Sequence, residues 1–360
     1  MELKNCKFMN NTLQTKFWKN KKVFITGHTG FKGAWLCLIL HKLGAKIVGY
    51  SLKPKRKSLY NQLKINKFVS KSYYNNIKNY SALKKSVVKF NPDVIFHLAA
   101  QPLVIESYNK PIETFDTNII GTANLIDSIR NNLKLKVKSL IIITTDKVYD
   151  TSNKKTYTET DKLGASDPYS TSKACCELVC ESYIKSYKNI GKILATARAG
   201  NVIGGGDYSK NRLVPDILNA ARNKKKLIIR NPNHIRPWQH VFEPLNGYIL
   251  LAQKIYKSNF KGKEPNWNFG PDKDSCKSVN FITKKFNKKL SLKIKFLKNN
   301  HVKENSYLKL NNNKSKKYLN WKPKWFLDEA ILKIIEWDNC SNKTKLKISL
   351  DQIDEYFSLN

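Results

Sequence analysis

The sequence predicts an α/β fold: a doubly wound parallel sheet with a smaller α/β lobe toward the C-terminus. Three observations predict it. The apolar run "KKVFIT" passes directly into a glycine-spaced turn and then into a segment with helical periodicity. Further short strand-like runs alternate with helical ones through the first half of the chain. The connections between them are only a few residues long, as expected of parallel strands returned by helices. The 360 residues suffice for one large α/β unit or two joined ones with a substantial core.

Residues 22–26 read as the first strand. Gly27, Gly30 and Gly33 follow with G-x-x-G-x-x-G spacing, with Thr29 and Phe31 among them. Trp35, Leu36, Ile39, Leu40 and Leu43 then recur at helical spacing, and Gly44 closes the helix. The second strand, Lys46 to Tyr50, starts two residues later. Glycines at such a turn let the backbone approach a pyrophosphate seated at the helix N-terminus. Between a first strand and a helix, the trio reads as a Rossmann-type dinucleotide turn. An acid after the second strand normally holds the ribose of NAD. Here Tyr50 and Ser51 stand there, with Lys53, Lys55 and Arg56 close behind, so this segment alone leaves NAD and NADP both open.

"NPDVIFHLAAQP" gives a strand from Val94 to His97, with Ala99 and Ala100 small enough for close approach of a cofactor. "TNIIGTANLIDSIR" reads as a helix with Asn118 near its start. "SLIIITTDKVYD" is the next strand, buried and β-branched at Ile141, Ile142 and Ile143, then abruptly polar at Thr144, Thr145, Asp146 and Lys147. An acid and an amine in that place either mark the end of a strand or move protons where the sheet faces its ligand. "DPYSTSKACCELV" sets Tyr169 and Lys173 on adjacent turns of one helix face. A lysine beneath a tyrosine lowers the phenol pKa and can hold a nicotinamide ribose.

Composition narrows the function classes. With 41% hydrophobic residues the chain is globular rather than disordered. No apolar run reaches membrane-spanning length and no secretory signal opens the chain, which predicts a cytoplasmic protein without membrane contact. The net charge of +39 raises nucleic acid as a partner. The lysines are scattered among Asn and Ile, however, with no basic block and no zinc-finger spacing. No nucleic-acid partner is expected, and the charge favours an anionic small substrate. The seven cysteines include no C-x-x-C pair, and Cys176 and Cys180 at i, i+4 spacing lack a completing ligand cluster, so no metal is expected.

The Y-x-x-x-K pair behind a Rossmann-type half resembles the extended branch of the short-chain dehydrogenase/reductase superfamily, whose members act on nucleotide sugars. "TGHTGFKGAWL", "HLAAQPLV", "TTDKVYD", "DPYSTSKACCE", "RAGNVIGGGD", "RLVPD" and "IRPWQHVFEPLNGYILLA" are similar, in that order, to the CDP-glucose 4,6-dehydratases. Two positions depart: Asn76, where relatives carry an acid against adenine, and Tyr208, where Trp is common.

The resemblance implies tightly bound NAD, regenerated at each turnover, and CDP-glucose as the nucleotide-diphosphate sugar substrate. It implies catalytic roles for Thr145, Asp146, Lys147, Tyr169 and Lys173. Gly27, Thr29, Gly30, Phe31, Gly33, Asn76, Ile77, Leu98, Ala99, Ala100 and Asn118 would hold the cofactor together with Tyr169 and Lys173. Gln101, Arg198, Asn201, Arg212, Arg236 and His240 would face the substrate. Tyr169, as a phenolate held by Lys173, would begin a C4 oxidation. Asp146 would be the acid for the departing 6-hydroxyl, and Lys147 the C5 base or its positioner. That needs Asp146 raised and Lys147 lowered in pKa, whereas a close pair of the two would push each the other way. His28 is expected to pack near the cofactor and His97 to be structural.

Domains interleave in this family. Residues 17–199 with 236–270 are expected to form the NAD-binding unit, including a helix at 241–256 and a late strand at 265–270. Residues 200–235 with 271–360 would form the substrate lobe, and 1–16 an N-terminal extension. A homodimer through the helix of Tyr169 is expected, with a place in deoxysugar synthesis for bacterial surface polysaccharides. The alternatives are a dehydratase or epimerase of a dTDP- or UDP-sugar, a silent cofactor-binding protein, and a basic nucleic-acid binder. The intact Tyr169, Lys173, Asp146 and Lys147 argue against silence.

Overall fold

The computed structural model describes residues 15–358 apart from 133, 152–155, 258–263 and 297–307. Residues 1–14 of the expected extension lie outside the described residues.

Seven strands form one sheet in the order β11-β6-β5-β4-β1-β2-β3. They are β1 (Lys22–Thr26), β2 (Lys46–Ser51), β3 (Lys71–Tyr74), β4 (Val94–His97), β5 (Ser139–Ile143), β6 (Leu194–Ala199) and β11 (Asn266–Phe269). Every pairing in it is parallel. The chain winds outward from β1 to β3, then crosses back to β4 on the other side of β1. Strand order therefore reverses between β1 and β4, and the crevice beyond their carboxyl ends is where such sheets take ligands.

Helices cover both faces, so β4, β5 and β6 are buried along their whole length. Side chains alternate across the sheet. Val23 and Ile25 join one core with Trp35 of α1 (Phe31–Lys42) and Leu245 of α6 (Phe242–Lys257). Phe24 points to the opposite core with Leu83 of α2 (Tyr80–Phe90), Leu125 of α3 (Gly121–Arg130) and Cys180 of α4 (Pro168–Ser186). Gly44 takes φ +85° just past α1, the left-handed closure its sequence position predicts. Asn118 lies in a π turn, Asp116–Ile120, directly before α3. Such turns recur at functional sites because they re-aim side chains.

The rest is built from short paired strands. β7 (Val202–Ile203) pairs with β10 (Gln239–His240), β9 (Ile235–Pro237) with β12 (Cys276–Ser278), and β8 (Leu227–Ile229) with β13 (Ile294–Phe296). These pack with α5 (Leu213–Arg222), α7 (Val279–Leu290) and α8 (Leu327–Asn339) around Ile217, Trp238, Phe286 and Ile334. A last helix, α9 (Lys345–Phe357), closes the chain against α6 through Tyr356 and Phe357. Among the described residues no helix is long and apolar enough to cross a membrane.

Candidate active site

The cofactor side begins where β1 stops. Gly27 takes φ +73°, and a Cβ on it would lie 2.6 Å from the Ala99 nitrogen. A Cβ on Gly33 would lie 2.2 Å from the Gly27 carbonyl oxygen, and the Gly30 amide donates to that same oxygen at 3.0 Å. The turn, α1 and the strand end at Leu98 and Ala99 thus meet backbone to backbone. The first amides of α1 have no partners within the helix, so this cradle fits a dinucleotide pyrophosphate. Thr26 Oγ1 fixes the second wall by accepting from the Ala99 amide at 3.2 Å and bonding His97 Nδ1 at 2.7 Å. His97 also bonds Thr122 at 3.1 Å, a structural placement.

Thr29 donates to the Leu52 carbonyl at 3.0 Å and bonds Ser51 Oγ at 2.8 Å, tying the glycine turn to the end of β2. Asn76 follows β3, with its Oδ1 accepting from the Lys78 amide at 3.0 Å. Ile77 is buried against Gly121, and the Phe31 ring lies against Gly204. Ala100 continues from Ala99 along the same wall. His28 turns onto β3: its Nε2 bonds Ser72 Oγ at 3.0 Å, Tyr60 meets it edge-on, and burial lowers its pKa to about 4.

The reactive side is built on the end of β5 and the first turns of α4. Thr145 caps a short turn by accepting from the Lys147 amide at 3.4 Å, and it acts on the Tyr169 hydroxyl, lowering its pKa against the larger effect of burial. Its own hydroxyl donates to Asp146 Oδ1 at 3.0 Å. Asp146 is 2% exposed, and its Oδ2 has no partner. Burial raises its pKa, against the opposing pull of Lys147, Thr145 and Arg236. A carboxyl kept toward its neutral form is a proton donor. Lys147 is half-buried beside it. Asp167 starts α4 by accepting from the Ser170 amide at 3.0 Å, and Pro168 fills the first helical position.

Five of the candidates make contacts within the protein. Lys173 Nζ donates to the Ile143 carbonyl at 3.0 Å, and burial lifts the Tyr169 hydroxyl to about 12. Arg198 is 1% exposed, its fork engages Glu177, and its third nitrogen donates to the Tyr149 hydroxyl and the Glu159 carbonyl. Gln101 turns its amide to Leu103 and Thr114 rather than outward. Asn118 uses both donors on the Gln101 carbonyl and Ser172, so it braces the cofactor wall from behind. His240 is 1% exposed between the Phe242 and Trp325 rings and belongs to the core.

Two arginines among the remaining candidates act on Tyr169 and Asp146. Arg212 pairs with Asp207 at 3.3 Å, and its charge reaches Tyr169. Arg236, anchored to the Ile235 carbonyl at 3.0 Å, acts on Asp146. Asn201 stands half-buried between β6 and β7. Two residues at the site escaped sequence reasoning. Glu177 lies one turn after Lys173, and that i, i+4 spacing was its only signal. Lys32, in the first turn of α1, feels Lys173, Arg212 and Asp146, and burial brings its pKa down to about 7.

The GDP-mannose 4,6 dehydratase family matches residues 24–334. The chain is 42% identical to a CDP-glucose 4,6-dehydratase of Salmonella typhimurium, over 96% of this chain and 99% of that one. Among solved structures, an epimerase of Methanothermobacter thermautotrophicus superposes with a TM-score of 0.78 at 19% identity, covering 97% of this chain and 98% of that chain. A dTDP-glucose 4,6-dehydratase of Streptomyces venezuelae, solved with NAD bound, gives 0.74 at 18% identity, covering 88% and 96%. At those identities the structures speak for the fold alone. The family match and the near full-length relative carry the assignment: the chain belongs to the GDP-mannose 4,6 dehydratase family, on its CDP-glucose 4,6-dehydratase branch.

Proposed function

We propose that the protein is an NAD-dependent hydro-lyase that converts CDP-glucose to CDP-4-keto-6-deoxyglucose and water. One observation carries this beyond a plain dehydrogenase. Next to the Thr145–Tyr169 pair lies a second proton device, the buried Asp146 carboxyl with its unpartnered Oδ2. Net oxidation has no use for it, while elimination of water does.

The glycine cradle and the Leu98–Ala100 wall would hold the dinucleotide, with Lys173 at its ribose. When bound, NAD⁺ supplies a hydride acceptor for C4, a hydride donor for C6 and a positive charge that favours the Tyr169 phenolate. Tyr169 takes the 4-hydroxyl proton while Thr145 holds that oxygen. The 4-ketone acidifies the C5–H, and Lys147 removes that proton. Asp146 protonates the departing 6-hydroxyl through Oδ2, and the C5–H electrons form the C5–C6 double bond. Arg212, Arg236 and Asn201 would hold the diphosphate, the arginines through forks that meet phosphate oxygens in pairs.

The interleaved division at 199, 235 and 270 fits the sheet, since β11 pairs with β6. Exposed Ile112, Ile120 and Leu178 on and beside α4 support a homodimer through that helix. A cytoplasmic location and a role in deoxysugar synthesis for surface polysaccharides complete the proposal, resting on the family resemblance.

The test is incubation with CDP-, dTDP- and UDP-glucose plus NAD⁺. A 4-keto-6-deoxy product from CDP-glucose is expected. Preference for another base would move the substrate assignment, and NADH accumulating in step with product would make the enzyme a net dehydrogenase.

A further inference from the structure

Away from the cofactor cradle and the Thr145–Tyr169 site, the chain forms a cleft of about 1050 Å³. One wall is the segment after β2, which contributes Arg56, Lys57 and Lys64. The other comes from three helix ends. Arg222 closes α5, Asp338 lies in the last turn of α8, and Lys343 and Lys345 lead into α9. Tyr208 stands between the walls. Its hydroxyl donates to Gln62 Oε1 at 2.5 Å, and Gln62 Nε2 donates to Asn342 Oδ1 at 2.8 Å, which joins the walls across the cleft.

Among the described residues, six basic side chains line this space against one acid, Asp338, and Arg222 already holds that acid. Lys57 and Arg222 lie over the Tyr208 ring, 5.0 and 6.0 Å from its centroid. Lys345 is 5% exposed, and its Nζ donates to the Trp337 and Asp338 carbonyls at 2.7 and 3.2 Å. It thereby covers the negative end of α8, which would otherwise repel an anion at that wall. Walls of one sign concentrate their field in the space between them. The volume is that of a small-molecule site rather than of a lone phosphate. Arginine forks and lysine amines are the groups that hold phosphoryl oxygens. Because both walls are cationic, a ligand that meets them together carries its charge along its length.

We propose that this cleft is a second anion site, apart from the glycine cradle and the proposed sugar-nucleotide site, and that it takes an oligophosphate chain, free or as the tail of a nucleotide. The chain runs between Lys57 on one wall and Lys343 on the other and is held in addition by Arg222. The site does not depend on the dehydratase function proposed above.

The test is calorimetric titration of the full chain with tripolyphosphate and, separately, with CTP. NAD⁺ and CDP are kept at saturation, so that the cofactor and sugar-nucleotide sites are filled. A single additional site per chain is expected. Lys57→Gln/Lys343→Gln should weaken it about tenfold or more. Lys288→Gln/Lys289→Gln removes the same charge at the exposed end of α7 and should change affinity by less than about twofold, because exposed charges beyond a Debye length are screened. Tighter binding of CTP identifies a nucleotide as the occupant and equal binding the phosphate chain alone, and either supports the site. Amine acetylation read by peptide mass spectrometry then locates it: tripolyphosphate should protect Lys57, Lys64 and Lys343 and leave Lys288 and Lys289 reactive. No additional site, an equal loss in the two double variants, or equal protection of all five lysines overturns the proposal.

Discussion

Glu177 and Arg198 meet in a two-point fork, Oε1 to Nε and Oε2 to Nη2, each at 3.0 Å, with both side chains at most 2% exposed. Glu177 also accepts from the hydroxyls of Thr144 at 2.5 Å and Thr196 at 2.6 Å. One carboxylate thus fastens β5, β6 and α4 together, one residue before Thr145 and one helical turn after Lys173. The relative placement of the two catalytic segments depends on it.

Removing either partner leaves the other charge buried and uncompensated. Glu177→Ala should lower unfolding free energy by about 3–5 kcal/mol, read from urea denaturation. Replacing both with Met should recover a large part of that loss, because an apolar pair of similar volume carries no desolvation penalty.

Stability should decline on acidification from neutral pH. Burial lowers His28 to about 4 and both His97 and His240 to about 3, against 6.5 unfolded. Their folded values are depressed, so the unfolded chain binds more protons as pH falls, and their contribution is full above 6.5 and lost below it. Glu243, raised to about 7 from 4.5, acts in reverse: its contribution is full below 4.5 and lost as pH rises through about 7. Asp146, Glu159, Asp216 and Asp338, also raised by burial, act in the same sense as Glu243 and reduce the slope, while the three histidines set its sign. Urea midpoints should therefore fall between pH 7 and pH 5, and a constant or rising midpoint would count against buried neutral histidines.

Lys32 should impose a pH dependence of its own. Its amine titrates near 7 beside Lys173 and Arg212, so the charge around the bound anions changes in that range. The kcat/KM profile of the parent should show an inflection near pH 7 that Lys32→Met lacks. Superimposable profiles would place Lys32 outside the catalytic field.

Gly33→Ala tests the cradle. The added methyl would meet the Gly27 carbonyl at 2.2 Å, a backbone contact that cannot rotate away. Fluorescence titration should show NAD⁺ affinity greatly reduced, with a stability loss of about 1–3 kcal/mol from overpacking.

Much of this was legible in the sequence, where local rules act alone. Strands β1 and β4 fall at the expected residues, and the late strand and the helix before it differ from expectation only at their ends. Glycine spacing announced the cradle because left-handed turns and close backbone approach leave few other residue types. Contacts with partners far along the chain were not legible. Nothing nearby in sequence revealed Glu177 as the counter-ion of Arg198. The Tyr169–Lys173 spacing is right, yet the lysine amine goes to Ile143, a carbonyl 30 residues earlier. Asp146 was placed from its motif, but its orphaned Oδ2 exists only once the chain is folded.

Asp146→Asn should keep the fold and cut dehydration by about 10²–10⁴, with NADH building up because oxidation at C4 is spared. Turnover near that of the parent would remove Asp146 as the acid.

The proposed reaction turns on an oxidation that is reversed within one molecule, and an isotope label follows it directly. CDP-glucose carrying deuterium at C4 is converted with NAD⁺ at less than one equivalent, and the product is read by NMR and mass spectrometry. Complete conversion is expected, with the deuterium at C6 of the 4-keto-6-deoxy sugar. Deuterium left in accumulated reduced cofactor, or lost from the product altogether, would contradict it.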